Sequence, residues 1–289
     1  MQNEWGLALY LESARGAETR RILMDFGYTP ETLSNNLDLL GIDPALLDAM
    51  LLTHGHYDHF GGMAGFLEAY RDRLNPALPF YLGGEECFCA REMGPEDAPG
   101  NFGVLDRRAI AAAGLRVLFA EKPSSIADHG FTTGWIPQVS FERPAQPSRM
   151  KVGIGADGLG CAASRLPESK RSEARMVDDF QHEQAVCFHV KGKGLVLMTS
   201  CGHRGVINTV RAAIEVSGIR RLHAVIGGFH LMPMPAEYAL TTAGALAEFA
   251  PDCVIPMHCS GEAFIEAAKQ SMPGKVLRTS TGTRFTFGD

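Results

Sequence analysis

The chain has no excess of positive charge, no long apolar run and no C-x-x-C pair of cysteines. Its 289 residues include 27 Lys and Arg against 33 Asp and Glu, a net charge of −6, and no basic block. Nucleic acid is therefore not an expected partner. Residues 1–5 lack the basic start and apolar stretch of a signal peptide, and no segment is long enough for a membrane helix. We expect a cytoplasmic protein that does not bind membranes.

The cysteines are seven, an odd number, and none lies in a C-x-x-C pair. This pattern argues against a disulfide framework and favours reduced thiols. Five are expected to be small apolar fillers of the interior: Cys87, Cys89, Cys161, Cys187 and Cys253.

Hydrophobic residues make up 45% of the chain and charged residues 21%, an ordinary globular composition. The length fits one large α/β domain or two smaller ones. Strand-like and helix-like patterns alternate. The first two strands are predicted at 5–11 and 21–26 with a polar turn at 12–19, and Thr29-Pro30 predicts a helix start that Gly41 ends. Such alternation predicts layers of helices and strands.

The stretch from Thr53 to His59 places three histidines and an aspartate directly after the apolar run 49–52. In an extended or turning segment His54 and His56 project to one side, and Asp58 and His59 follow one turn later. Imidazole and carboxylate groups at this spacing predict two adjacent metal positions. The alternative is a group of polar loop residues without a ligand.

Histidines recur after predicted strands in the second half of the chain, in Cys201-Gly202-His203, Phe229-His230 and His258-Cys259. Two halves that each carry histidines at strand ends suggest two sheets packed face to face, with helices outside. Residues 135–183 break the alternation, because they are rich in proline and glycine and end in a charged run. Such a segment is either a lid or insertion, or a disordered surface loop.

The His54-x-His56-x-Asp58-His59 signature, with the strand-end residues downstream, resembles the metallo-β-lactamase superfamily. The segments 200–203, 227–231 and 257–261 are similar to a branch often labelled 7,8-dihydropterin-6-methyl-4-(β-D-ribofuranosyl)aminobenzene 5′-phosphate synthase. The resemblance spans nearly the whole chain. It implies one domain over residues 1–289, with a four-layer αββα sandwich of two mixed sheets and a mono- or dinuclear metal site between them.

The resemblance also implies a ligand set. His54 and His56 would hold one metal and Asp58 and His59 the other. His182 matches the next family histidine, Cys201 stands where the family has a bridging aspartate, and His258 matches the last histidine. A cysteine there favours zinc over iron or manganese, or it leaves the ligand role to His203. Cys201 has a second interpretation as a nucleophile, because it precedes a helix start.

Further residues are candidates with two interpretations each. Asp25 either supports the metal histidines from behind or forms a turn. His230 either faces metal or substrate or is structural. Helix starts beside Arg204 and Ser260 favour a phosphate or carboxylate on the substrate.

The leading functional hypothesis is a hydrolase that uses metal-activated water on a small anionic substrate, at ester or phosphodiester bonds. It would carry one or two zinc ions, with manganese or iron as alternatives. Asp58 would orient the water, and His203 or His230 would donate to developing charge. The competing hypothesis, from a different class, is a sensor or ligand-binding protein that keeps the metal but is catalytically silent. Redox chemistry at an iron pair is a third.

Overall fold

The computed structural model describes residues 1–145 and 148–288. These divide into two compact units. Unit 1 comprises residues 1–121 and 148–182, and unit 2 comprises residues 122–145 and 183–288. Within the described ranges, no helix is both long and apolar enough to cross a membrane.

Unit 1 is built on a five-stranded sheet. Its first two strands form an antiparallel hairpin, and the others join in parallel. In spatial order the strands are Leu9–Arg15, Glu18–Met24, Ala49–Leu52, Pro79–Leu82 and Arg116–Phe119. The α-helices of the unit are Pro30–Leu40, Tyr57–Phe60, Met63–Tyr70 and Arg107–Ala112, and its 3₁₀ helices are Pro44–Leu46, Glu85–Phe88, Ala163–Arg165 and Glu168–Lys170.

The helix Pro30–Leu40 forms as the sequence predicts. The Thr29 hydroxyl accepts a hydrogen bond from the Thr32 amide at 3.4 Å, and proline occupies the first helical turn, where no amide donor is needed. Gly41 ends the helix in the left-handed conformation at φ 67°. Leu33 and Leu37, four residues apart, form its buried face.

The N-terminal hairpin differs from the prediction. The strands are Leu9–Arg15 and Glu18–Met24, so the turn is a tight one at Gly16, not a long loop over 12–19. The first strand lies at the edge of the sheet. An edge strand has a neighbouring strand on one side only, so its other side is open to solvent. It therefore accommodates the polar residues Glu12 and Arg15, which suggested a loop.

Most of the predicted irregular segment in unit 1 is ordered. An antiparallel sheet orders the strands Arg175–Val177, Arg149–Lys151, Ala90–Met93 and Gly100–Asn101, and a separate pair joins Gly153–Ile154 to Gly160–Cys161. Phe180 is fully buried. Residues 148–182 are thus packed structure and not a disordered loop, and an insertion or lid stays a prediction; residues 146 and 147 lie outside the described chain.

Unit 2 is built on a six-stranded mixed sheet. In spatial order its strands are Cys253–Pro256, Leu222–Gly227, Gly194–Thr199, Val186–Val190, Gly130–Thr132 and Ser124–Ile126. The first three are parallel. The α-helices are Val206–Ser217, Ala236–Ala247 and Glu262–Ser271, and His258–Ser260 is a 3₁₀ helix. Apolar faces of these helices and of the sheet form the core of the unit.

The expectation of reduced thiols is wrong for two cysteines. Cys89 and Cys161, 72 residues apart in sequence, form a disulfide within unit 1. Short-range spacing could not reveal the pair, because only the folded chain brings the two residues together. Disulfides are typical of oxidising compartments, so the cysteines no longer support a cytoplasmic location.

Candidate metal centre

The histidine cluster of unit 1 begins where the strand Ala49–Leu52 ends. The neighbouring parallel strand Glu18–Met24 ends at Asp25, whose amide donates to the Leu51 carbonyl at 2.9 Å. Parallel strands bring their carboxyl ends to the same edge of a sheet. This geometry places Asp25 directly beside Thr53 and the start of the cluster.

The Asp25 carboxylate organises the cluster through three hydrogen bonds. It accepts from the Thr53 amide at 2.7 Å and the Thr53 hydroxyl at 2.8 Å. Its Oδ2 lies 2.9 Å from His59 Nδ1. A carboxylate at this nitrogen fixes the tautomer with the proton on Nδ1, which leaves the Nε2 lone pair for a metal.

The four proposed ligands of unit 1 lie close together and are buried. The ring of His54 lies 4.9 Å from that of His56 and 4.4 Å from that of His59, between centroids. His59 Nε2 lies 3.7 Å from Asp58 Oδ2. Each of the four is at most 6% exposed. Buried imidazoles and a carboxylate arranged in this way are a donor set that fits zinc or a similar divalent metal.

Burial also sets the protonation state of His56. It lowers the pKa of His56 to about 3, so the imidazole is neutral at physiological pH. The neutral form is the one that binds metals. Ser148 Oγ lies 2.9 Å from His56 Nε2 and so orients the ring.

Gly55 is required by the packing of an arginine against the cluster. A Cβ at this position would lie 2.5 Å from Nη1 of Arg91, closer than real contacts allow. Arg91 is itself fully buried; its Nε donates to Asp178 Oδ2 at 2.9 Å and its Nη1 to the Cys89 carbonyl at 2.7 Å. The loop between His54 and His56 is therefore held against a buried ion pair.

His182 contacts this buried ion pair. Its Nε2 lies 3.1 Å from the Gly55 amide and 3.1 Å from Arg91 Nη2, and its Nδ1 lies 3.4 Å from Glu86 Oε2. Both amide and guanidinium are donors, so they occupy the lone pair that a metal would need. Glu86, Asp178 and His182 offer ligand atoms within 4.8 Å of one another, but Arg91 already supplies the compensating charge. The role of metal ligand that the resemblance implied for His182 stays a prediction.

The charges in this cluster stabilise one another. Burial alone would raise the pKa of Asp178, but the neighbouring Arg91 guanidinium overcomes it and lowers the pKa below its usual range. Lys170 donates to Glu86 Oε1 at 2.8 Å, and it contributes, after His182, to a lowered pKa of Glu86 despite burial. A buried network of charged groups of this kind fixes the position of the loop that it contacts.

The second group of candidate residues lies within unit 2, at the carboxyl ends of its three parallel strands. Cys201 follows Gly194–Thr199, His230 follows Leu222–Gly227 and Cys259 follows Cys253–Pro256. Cys201 Sγ lies 3.1 Å from Cys259 Sγ and 3.3 Å from His230 Nδ1. No role for Cys259 was predicted from the sequence, although its position after a strand, like that of Cys201, indicates a possible site residue.

Glycine allows these strand ends to approach. A Cβ on Gly228 would lie 2.2 Å from the Ser200 carbonyl oxygen and 2.9 Å from Cys259 Sγ. Because of this close approach, Cys259 and His230 shift each other's pKa. Burial opposes both charged forms, but the hydrogen bonds around Cys259, from Cys201 and His230, lower its pKa, and the bond to Cys259 raises the pKa of His230.

His203 is fixed by its backbone. The His203 amide donates to Glu183 at 2.8 Å and the Arg204 amide at 2.6 Å. Glu183 is fully buried, and burial raises its pKa to about 7 in spite of these donors. The His203 ring lies 4.0 Å from the His230 ring, between centroids. His258 begins the 3₁₀ helix of unit 2 in a left-handed conformation at φ 51°, half-buried.

One of the two predicted anion-binding positions is used by the protein itself. At the start of the helix Val206–Ser217, Glu142 Oε2 accepts from the amides of Ile207 at 2.9 Å and Asn208 at 3.0 Å. Arg204 Nε donates to the Ile136 carbonyl at 2.8 Å. The Ser260 hydroxyl lies within 3.2 Å of the Gly227 carbonyl, the Met257 carbonyl and the Phe229 amide. These contacts hold Arg204 and Ser260 in place, and their predicted roles in binding a substrate stay predictions.

The residues that sequence analysis missed act through the tertiary structure. Arg91, Asp178 and Ser148 contact the histidine cluster within unit 1, and Glu142 and Glu183 fix the loop and helix start after Cys201 in unit 2. None lies in a motif. Their partners are far away in sequence, so only a three-dimensional structure reveals them.

Comparison with known proteins bears on the fold. Residues 11–74 match the family model of the metallo-β-lactamase superfamily. A crystal structure of a metal-dependent hydrolase of the β-lactamase superfamily superposes with a TM-score of 0.72 at 23% identity, over 98% of this chain and 99% of that one. The chain has the metallo-β-lactamase fold. The predicted fold and the resemblance to this superfamily are thereby confirmed.

Relatives with this similarity include two proteins of Methanocaldococcus jannaschii. One is 7,8-dihydropterin-6-methyl-4-(β-D-ribofuranosyl)-aminobenzene-5′-phosphate synthase, 26% identical over 96% of this chain and 90% of its own length. The other is an uncharacterized protein, 26% identical over 84% of this chain and 80% of its own. The metallo-β-lactamase fold is thus shared with proteins whose names describe both a hydrolase and a synthase.

Proposed function

We propose that the protein is a metal-dependent hydrolase that acts on ester or phosphodiester bonds of a small anionic substrate. The observation that carries the proposal is the arrangement of His54, His56, Asp58 and His59. All four are buried at a strand end, and the Asp25 carboxylate orients His59. The superfamily fold, in which such a cluster is a metal site, supports the same assignment.

Different side chains of the protein would bind the metals, orient the water and donate the proton. His54 and His56 would hold one metal and Asp58 and His59 a second; the imidazole and carboxylate donors suit zinc, with manganese or iron as alternatives. A divalent metal held there supplies Lewis acidity and lowers the pKa of a water. Asp58 would orient that water, and His203 or His230 would donate a proton to the leaving group. Ligand roles for Cys201 and His258 stay predictions.

An anionic substrate is supported by a relative's name. The compound in the name of the Methanocaldococcus jannaschii synthase carries a 5′-phosphate, so a phosphate-bearing substrate is our preferred class. The helix start at Gly205 does not serve it, because Glu142 already occupies those amides.

The test combines metal analysis with a substrate panel. Purified protein should contain one to two equivalents of metal and hydrolyse at least one of a chromogenic phosphodiester, ester, lactone or β-lactam. His56→Ala should lose hydrolysis and at least part of the bound metal. His189→Ala, which changes an exposed histidine on the strand Val186–Val190, should behave like the wild type. Equal hydrolysis by metal-free protein would contradict the proposal.

A second candidate function is a synthase reaction on a dihydropterin. The alignment with the named synthase over nearly the whole of both chains favours it. Fluorescence titration with 7,8-dihydropterin tests this reaction class: saturable, metal-dependent binding without turnover of the panel would favour it. Metal binding with neither dihydropterin binding nor turnover would instead favour the catalytically silent sensor.

A further inference from the structure

We propose that Cys201, His230 and Cys259 form a thiolate metal site of their own within unit 2, suited to a soft divalent cation such as Zn²⁺. One Sγ, one Nδ1 or Nε2 and a second Sγ all lie within 4.8 Å of one another. Both cysteines are 2% exposed. This inference does not depend on the proposed hydrolase, whose four best-placed ligands belong to unit 1.

The three side chains lie close enough together to surround one metal ion. In a tetrahedral zinc site with Zn–S near 2.3 Å and Zn–N near 2.0 Å, ligand atoms stand about 3.8 Å apart for two sulfurs and about 3.6 Å for sulfur and nitrogen. Here the sulfurs are 3.1 Å apart and Cys201 Sγ is 3.3 Å from His230 Nδ1. To accommodate an ion, the two sulfurs would need to separate by about 0.7 Å, and the sulfur and the nitrogen by about 0.3 Å.

The scaffold is of the kind that holds a metal site rigidly. Each of the three residues follows a different strand of one parallel triplet, and the strand ends are locked by hydrogen bonds such as Gly228 N to Ser200 O at 3.1 Å. Sites built on the ends of packed strands are better positioned than sites on long loops. Gly228 also leaves the space beside Cys259 Sγ that a side chain would fill.

The donor chemistry selects the metal. Two thiols and one imidazole favour zinc over the harder manganese or magnesium, which prefer oxygen ligands. Three protein ligands leave a fourth position for water or a small ligand, the arrangement found in zinc sites that do chemistry. Cys201, which the resemblance assigned to the superfamily metal pair, is on this proposal a ligand of the thiolate site.

The experiment uses Co²⁺, because a cobalt–thiolate bond gives a charge-transfer absorption that imidazole and carboxylate ligands do not give. Metal-stripped full-length protein, with thiols kept reduced under anaerobic conditions, is titrated with Co²⁺. We expect the band in the wild type and in His56→Ala, which removes a ligand of unit 1. Cys259→Ser should lose at least nine-tenths of the band, and Cys253→Ser, the matched change at a half-buried cysteine outside the trio, should keep it.

Alkylation of the wild type provides a test that needs no variant. Zn²⁺ should protect Cys201 and Cys259 from alkylation at least tenfold, as read by peptide mass spectrometry, and should not protect Cys253. Absence of the cobalt band from the wild type, its full retention in folded Cys259→Ser, or a Cys201–Cys259 disulfide in zinc-saturated protein would overturn the proposal. The hydrolase proposal fails independently, by the retained activity of metal-free protein.

Discussion

At the scale of single residues, Asp25 has a position that few aspartates share. It is fully buried, adopts a left-handed backbone at φ 61°, and accepts three hydrogen bonds from Thr53 and His59. Asparagine tolerates the same backbone conformation, so Asp25→Asn changes the charge and the acceptor strength with little change in shape.

We predict that Asp25→Asn weakens metal binding by 10- to 100-fold, the usual effect of losing a carboxylate that supports a metal-bound histidine. Competition with a chromogenic chelator measures the affinity. Asp128→Asn is the matched control, because Asp128 has the same left-handed backbone at φ 59° but is exposed. Unchanged affinity in a folded Asp25→Asn protein would show that the carboxylate serves only the turn.

The sequence predicted the ligands that are contiguous and missed their supports. His54, His56, Asp58 and His59 form one short motif, so their spacing alone indicates a site. His182 was placed in the ligand set by alignment to the family pattern. The structure instead surrounds it with Gly55, Arg91 and Glu86, contacts that no local pattern encodes because the partners lie 91 to 127 residues away.

At the scale of elements, the helix Val206–Ser217 depends on a residue from a distant loop. Glu142 Oε2 accepts from two of the first helical amides, and the Asn208 side chain in return accepts from the amides of Val139 at 2.9 Å and Ser140 at 2.7 Å. The loop and the helix start therefore satisfy each other's donors, in the manner of a capping box formed across 66 residues.

We predict that Glu142→Ala lowers the free energy of unfolding by about 2 kcal/mol, because it removes the cap and leaves buried amides unsatisfied. Glu142→Gln, which keeps one acceptor oxygen, should lose less. Urea unfolding measures both. Glu248→Ala, at an exposed position after the helix Ala236–Ala247, should change stability by less than about 0.5 kcal/mol. Equal losses in the Ala and Gln variants would show that the charge, not the acceptor, matters.

Elements with local signals were predicted well, and those that depend on partners were not. Thr29, Pro30 and Gly41 mark the ends of one helix in the sequence itself. The short strands Arg149–Lys151 and Arg175–Val177 carry no such marks; they exist because they pair with each other and with Ala90–Met93. A segment rich in proline and glycine thus predicted a loop, although long-range pairing orders it.

At the scale of the whole molecule, the alternation of strands and helices and the histidine motif predicted the fold. Neither of them predicted the disulfide that connects distant parts of the chain. The Cys89–Cys161 disulfide closes a loop of 72 residues that includes a segment of unit 2. Cross-linking a chain over this distance restricts its unfolded state, an effect of about 4 kcal/mol in the chain-entropy treatment. A strong reductant should therefore destabilise the protein substantially.

We predict that reduction, or the double change Cys89→Ser with Cys161→Ser, lowers the free energy of unfolding by up to that amount. Urea unfolding of the full-length protein with and without reductant measures the effect. The stability of the double variant should not change with reductant, because this variant has no Cys89–Cys161 disulfide to reduce. Cys253→Ser, which removes a thiol outside the disulfide, should respond like the wild type. If the wild type unfolds identically in both conditions and mass spectrometry finds both thiols alkylated, then Cys89 and Cys161 are not joined in solution. The expectation of a reducing compartment, which the odd number of cysteines first suggested, would then regain its support.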